Sequence, residues 1–232
     1  MTSKAVGVGT GRVTRKEQAE QTRQRILAVA VEKFSRAPYN DVSVTEIARE
    51  ADVAHGLIFH YFTNKRRLFL DAMRSVAAEL ERRHLEQARG ETADSPRLRI
   101  RGMFVRHLRF MSETPDLAVS ILSGGIGSDP DAHAIFDEDR WRISRWWLEM
   151  VGLNAAHPAL QLTTRATAGA VDAATLHWIQ RPDFDVEAVA DMLFDILVGA
   201  LRTASRLDDT LDVSAAVAML ETDRTRTNRS PL

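Results

Sequence analysis

From residue 14 onward apolar residues recur every three to four positions, which is the period of an α-helix packed on one face. Ile26, Leu27, Val29, Ala30 and Phe34 place a first helix from Thr14 to about Arg36, and Ala37-Pro38-Tyr39-Asn40 ends it. Ser43 with Glu46 three residues on reads as a capping box, opening a second helix whose inner face is Ile47, Ala48 and Ala51. Asp52-Val53 forms a turn, Ala54 to Phe62 a third helix, and Thr63-Asn64 caps a fourth from Lys65 to about Arg89. Beyond residue 90 the pairs Ser95-Pro96, Thr114-Pro115, Asp129-Pro130 and His157-Pro158 each set a polar residue before a proline suited to a first helical turn. They predict helices over about 96–113, 115–122, 130–151 and 158–179, with two more over about 185–206 and 212–221 after Pro182. No strand alternation competes with this pattern, so the fold class is all-α.

The punctuation also divides the chain. Residues 1–13, rich in glycine and small residues, are expected to form a flexible N-terminal arm, and 223–232 a flexible tail. Residues 14–67 form a small three-helix unit and 68–222 a larger helical body, with Ser123 to Gly127 as a flexible connection. At 44% hydrophobic the chain has enough apolar surface for a core. Its lack of cysteine excludes disulfides and thiolate metal sites. No signal-peptide pattern or apolar run of membrane-spanning length occurs, so a cytoplasmic location and no membrane partner are expected.

Charge sharpens the division. The net charge of −1 conceals twelve Lys and Arg against seven Asp and Glu in residues 1–67, a basic front end on an acidic body. That asymmetry suits a segment that meets phosphate. Two short helices joined by a tight turn are how a helix-turn-helix presents a recognition helix to the DNA major groove. With Ile58 and Phe62 inward, Gly56 and His60 face outward, Leu57 lies close by and exposed, and Phe59 and Tyr61 flank them. A glycine there costs roughly 1 kcal/mol of helix propensity, a cost consistent with close approach of another molecule to the backbone.

Residues 22–70 resemble the N-terminal domain of the TetR family of bacterial transcriptional regulators. The resemblance rests on Arg25-Ile26-Leu27, Phe34, Val44, Ile47-Ala48, Ala51, Val53, Gly56, His60-Tyr61-Phe62, Lys65 and Leu68. It implies that Ser43, Thr45, His55, Gly56, Leu57, His60, Tyr61 and Lys65 face DNA, with Arg49 as a weaker candidate. The chain departs from the usual pattern at four positions. Asp52 stands where a turn glycine is common, and must then adopt a left-handed conformation. Ala54, Leu57 and Phe59 replace the more frequent Ser, Thr and Tyr, so three polar contacts are lost, and Leu57 is instead suited to a thymine methyl.

The body offers helix 185–206, apolar over most of its circumference, and helix 158–179, with Ala166, Gly169, Ala170, Ala173 and Ala174 suited to close packing. The resemblance implies that two such helices pair in a homodimer, which places two recognition helices on a palindromic operator in double-stranded DNA. Met103, Phe104, His107, Met111, Trp141, Trp147, His177 and Trp178 are candidate walls of a chamber for a small hydrophobic or amphiphilic effector. The same residues also suit plain core packing.

No nucleophile elbow, zinc motif or phosphate loop is present, so no catalytic residue, cofactor or metal site is expected. The Glu81-x-x-His84 pair matches half of a di-iron bundle signature, and Glu81 is expected on an exposed helix face. The function implied is a one-component transcriptional repressor released from its operator by an effector. The alternatives are an activator or an effector-independent DNA binder of the same fold and, remotely, a metal-binding helical enzyme.

Overall fold

The structure, a computed structural model, describes residues 14–90, 95–123 and 129–222, and only the backbone of 85–90. The arm 1–13, the tail 223–232 and residues 124–127 of the connection lie outside the described residues.

Ten helices and no strand occur among them. In order they are α1 (Arg15–Arg36), α2 (Val44–Glu50), α3 (His55–Phe62), α4 (Lys65–Gly90), α5 (Pro96–Glu113), α6 (Pro115–Leu122), α7 (Pro130–Met150), α8 (Pro158–Gln180), α9 (Val186–Leu207) and α10 (Ser214–Glu221). Each predicted helix is present within two residues of its expected bounds, because prolines and caps fix where a helix starts more firmly than propensity does.

The caps differ in detail. The reciprocal box forms not at Ser43 but at Thr14, whose N–H donates to the Glu17 carboxylate at 2.7 Å while its hydroxyl accepts from the Glu17 N–H. Ser43 gives only the forward half, accepting from the Glu46 N–H at 3.4 Å. Asp129 and His157 cap their helices through side-chain acceptors, whereas Ser95 and Thr114 make no side-chain cap.

Helices α1, α2 and α3 pack around Ile26, Phe34, Ile47, Ile58 and Phe62, all essentially inaccessible to solvent. Each such side chain contributes roughly 1.5–3 kcal/mol by leaving water. That core continues without a break along α4, through Leu68, Phe69, Met73, Val76 and Leu80, to Phe110, Leu117, Ile121 and Phe136 of α5, α6 and α7. A second core joins α5, α7, α8, α9 and α10 around Ile100, Leu108, Leu148, Leu193, Phe194 and Leu201. Helix α4 belongs to the first core and packs on α5 and α7, so it ties the small unit to the body.

The α2–α3 turn uses a Schellman arrangement. Val53 N–H donates to Ala48 C=O at 3.0 Å and Asp52 N–H to Arg49 C=O at 3.3 Å, with Asp52 at φ 51°. The left-handed aspartate expected from the sequence is therefore present. The same arrangement closes α7, where Leu153 donates to Leu148 and Gly152 to Glu149, with Gly152 at φ 77°. One left-handed position is thus held by glycine and the other by a residue with a Cβ, which pays a steric cost there. A D52G variant is therefore expected to gain about 1 kcal/mol, read as a higher urea midpoint at unchanged slope. A lower midpoint would mean that the aspartate side chain contributes more than its backbone strain costs.

Candidate nucleic-acid interface and ligand cavity

The outward face of α3 follows from its inward one. Ile58 and Phe62 are fully buried, which turns His55, Gly56, Phe59 and His60 to solvent. A Cβ built on Gly56 would meet no atom within 4 Å. Nothing inside the chain therefore requires glycine at this position. His55 stands edge-on to Phe59, with ring centroids 5.1 Å apart, and His60 edge-on to Tyr61 at 5.5 Å. On α2, Thr45 and Arg49 are exposed one helical turn apart, and Ser43 is half-buried at the cap.

Three expected positions sit differently from the sequence reading. Leu57 is half-buried rather than exposed, because its place one residue before Ile58 tips part of the side chain toward the small core. Tyr61 packs against that core along one side. Lys65 is held within the chain: its Nζ donates to Asn40 C=O at 3.1 Å and lies 4.7 Å from the Tyr39 ring centroid. Of the neighbouring cations, Arg66 turns to Asp129 and Asp131, and the Arg67 Nε donates to Asp71 at 3.1 Å. Arg49, with its side chain 73% exposed, is the cation of this set best placed to reach outward.

The link from α3 to α4 is strained. Thr63 sits at φ 63°, ψ −46°, and Asn64 N–H donates to Phe62 C=O, which closes a γ-turn. A β-branched residue rarely adopts that conformation. The Asn64 side chain then accepts from the Arg67 N–H at 2.8 Å and caps α4. The recognition helix therefore ends abruptly, on a tightly fixed path into α4.

The second site is interior. A cavity of about 110 Å³ lies between α4, α5, α7 and α8. Met103, Phe104, His107, Met111 and Trp147 line it as the sequence suggested, together with Leu80, Phe136 and Ile143. The other three expected walls lie elsewhere. Trp141 lines an adjoining hollow that shares Arg140 and Asp172 with the cavity. His177 points to solvent, and Trp178 donates its indole N–H to Phe184 C=O at 2.8 Å, bracing the loop before α9. The helix turns both residues past the cavity, since Thr164, Thr167, Ala168 and Val171 already supply the α8 wall.

Sequence reading missed the cavity's polar groups: His84, Asp139, Arg140 and Asp172. In the sequence His84 stands out only as half of a di-iron spacing with Glu81. His84 is buried while Glu81, one turn earlier, pairs with Arg142 at 3.3 Å. Among the described residues no group of three or more His, Cys, Asp or Glu is placed to hold a metal ion.

Both nitrogens of His84, the Nε2 of His107 and the Oδ1 of Asp139 are buried without a hydrogen-bond partner. Each such orphan costs about 1–3 kcal/mol. Burial pushes the His84 imidazole down to about 3, helped by His107 and Arg106, and the His107 imidazole down to about 4, helped by Arg140. Burial likewise pushes the Asp139 carboxyl up to about 7, against the opposing pull of Arg142. All three groups therefore favour their neutral forms. The two histidines contribute stability that is complete above their ordinary value of 6.5 and is lost as pH falls toward 4 and 3. Asp139 has the opposite sign: its neutral form stabilises the fold at low pH, and that contribution is lost as pH rises from 3.8 through 7. The stability difference between D139N and wild type is accordingly expected to shift in favour of D139N from pH 4 to 7 and level off above, by more than about 1 kcal/mol. Urea unfolding at each pH measures it, and a difference that does not change with pH would refute the burial argument.

No helix among the described residues is long and apolar enough to cross a membrane. Residues 26–72 match the family model for bacterial regulatory proteins of the tetR family. The transcriptional regulator BetI of Brucella anthropi is 28% identical over 149 residues, covering 64% of this chain and 73% of that protein. A tetR-family regulator from Streptomyces coelicolor shares the fold at a TM-score of 0.71 and 22% identity, over 88% of this chain and 90% of that one. The regulator FadR from Bacillus subtilis, solved in complex with stearoyl-CoA, superposes at a TM-score of 0.62 and 18% identity, over 76% and 98% of the two chains. Residues 26–72 therefore carry the DNA-binding helix-turn-helix domain of the tetR family, and the larger helical body shares its fold with solved regulators of that family.

Proposed function

We propose that the protein is a homodimeric repressor that binds a palindromic operator and is released when a small molecule enters the body. The observation that carries the DNA half is the outward face of α3, where Gly56 and His60 stand clear of the fold beside exposed Thr45 and Arg49. Thr45, Arg49, His55, Gly56 and His60 are the assigned contacts, with Ser43, Leu57, Tyr61 and Lys65 shaping the edge of the interface. Phosphate contacts set affinity, and His60 with the accessible edge of Leu57 sets sequence.

Dimerisation is assigned to α8 and α9. Leu162 is 62% exposed, Met192 45% and Ile196 37%, while Gly169 and Gly199 have open space where a Cβ would stand. Apolar and small residues exposed together on two long helices suit a partner subunit. The effector half rests on the cavity, and the stearoyl-CoA held by FadR supports reading a body of this fold as ligand-binding.

Two connections suit the coupling of the sites. Helix α4 carries Leu80 and His84 in the cavity wall, about 28 Å of helix from Lys65. Helix α7 carries Asp139, Arg140 and Trp147 in that wall, and at its N-terminal end Asp129 and Asp131 accept from the Arg66 guanidinium. A ligand that binds one arrangement of α4 and α7 more tightly shifts the spacing of the two readers.

Operator selection with purified dimer is expected to return a palindrome, and affinity for it to fall about a hundredfold or more from 50 to 200 mM salt. A protein with no preference over random duplex sinks the reading. A G56A variant separates fold from contact: it should melt higher, by up to about 1 kcal/mol of helix propensity, yet bind the operator more weakly. D131N, which loosens the Arg66 clamp without removing the Asp129 cap, is expected to reduce the effector's influence on operator affinity more than it reduces effector binding. Equal losses in both would remove the clamp from the coupling route.

A further inference from the structure

The cavity's walls and its unsatisfied polar atoms together constrain the chemistry of an occupant. Phe104, Met111, Phe136 and Trp147 make it largely apolar, and its volume of about 110 Å³ is comparable with apolar cavities of about 150 Å³ that admit benzene. Three of the residues lining this space, Asp139, His84 and His107, carry buried polar atoms with no partner. His84 is 6% exposed and Asp139 4%, so bulk water does not serve them. The two imidazole rings are 5.5 Å apart between centroids, close enough for one ligand atom to reach a nitrogen of each.

Formal charge decides the sign of the head group. The charged lining residues are Asp139, Asp172 and Arg140, and Arg140 is already paired with Asp172 at 2.8 Å. Asp139 is therefore the carboxylate in excess. Arg142 approaches its Oδ1 only to 3.6 Å and turns toward Glu81. A carboxylate ligand would meet a second carboxyl group, Asp139, offset only by the distant Arg142, beside two neutral imidazoles. A primary ammonium brings one positive charge and three N–H donors, which match the Asp139 oxygen and one acceptor nitrogen on each histidine.

We propose that the cavity takes a small hydrophobic amine in its protonated form, seated with its ammonium at Asp139 between His84 and His107 and its apolar body against Phe104, Met111 and Trp147. The proposal deepens the ligand-responsive reading above and names its effector class. The groups facing Asp139 are Glu81 and His84 on α4, His107 on α5, Glu138, Arg140 and Arg142 on α7, and Asp172 on α8. Since burial holds the Asp139 carboxyl near 7, amine affinity rises with pH as that carboxyl ionises.

The test is calorimetric titration of the full chain with benzylamine, benzyl alcohol and benzoate, which share a ring and differ in the head. Benzylamine is expected to bind at least tenfold tighter than the other two, and D139N to bring it down to the alcohol's affinity. Wild-type affinity for the amine, but not for the alcohol, should fall about tenfold from pH 8 to pH 6. That measurement needs no variant, so it decides the matter even where D139N is poorly folded. Equal affinities, a preference for benzoate, no saturable binding, or an amine affinity independent of pH would each overturn the proposal. Operator binding by the same preparation is scored separately. A protein that binds operator but does not prefer the amine loses only the effector class; one that prefers the amine but binds no duplex loses only the regulatory reading.

Discussion

Helix α4 is buried from two directions, and the remaining architecture is arranged around that constraint. Its first turns present Leu68, Phe69, Ala72 and Met73 to the three-helix unit, and the following turns present Val76, Ala77 and Leu80 to the body. Withdrawing such a run from either neighbour exposes several large side chains at once, each worth roughly 1.5–3 kcal/mol. Separating the helix from either unit is therefore costly. In its second turn Asp71, 8% exposed, is surrounded by Arg23 of α1 and by Arg67 and Arg74 of α4 itself. A buried carboxylate so surrounded fixes the register of α1 against α4, since loss of its partners would leave a charge without compensation.

Around this rod the ion pairs act as positioning devices more than as sources of stability. Arg66 with Asp129 and Asp131, and Arg36 with Asp116, cross between the two units, while Lys33 with Glu50 joins α1 to α2 inside the small one. Most are well exposed, and exposed pairs contribute little. Their value is geometric: they state which face of α1, α4 or α7 meets which neighbour. The Arg66 contact has a further consequence, because it occupies a cation that would otherwise face outward beside the recognition helix.

Much of the fold was legible because its signals are local. Proline after a polar residue, Ser43 with Glu46, and the periodic apolar faces of α1 and α4 depend only on near neighbours, and the helix bounds followed. The helix-turn-helix was legible for the same reason, down to the left-handed Asp52. The cavity was only half legible. Its apolar walls on α5 showed as a stripe, but His84, Asp139 and Asp172 become wall residues only once α4, α7 and α8 converge. Nothing in the local pattern separates a buried histidine on α4 from an exposed one, and Trp178 looked like a wall residue until the loop before α9 claimed its indole. The γ-turn at Thr63 also had no sequence signal, since a threonine is a poor candidate for that conformation.

The open space around Gly56 and the solvent-facing position of His60 separate two selective pressures that most surfaces combine. Ile58 and Phe62 are the fully buried anchors of α3, with Leu57 and Tyr61 partly packed beside them, so substitutions at the exposed Gly56 and His60 change the outer face with little effect on whether the unit folds. Duplicated copies of such a chain are free to diverge toward new target sequences through single, individually viable replacements on α3. The body and its cavity meanwhile drift under a different set of demands.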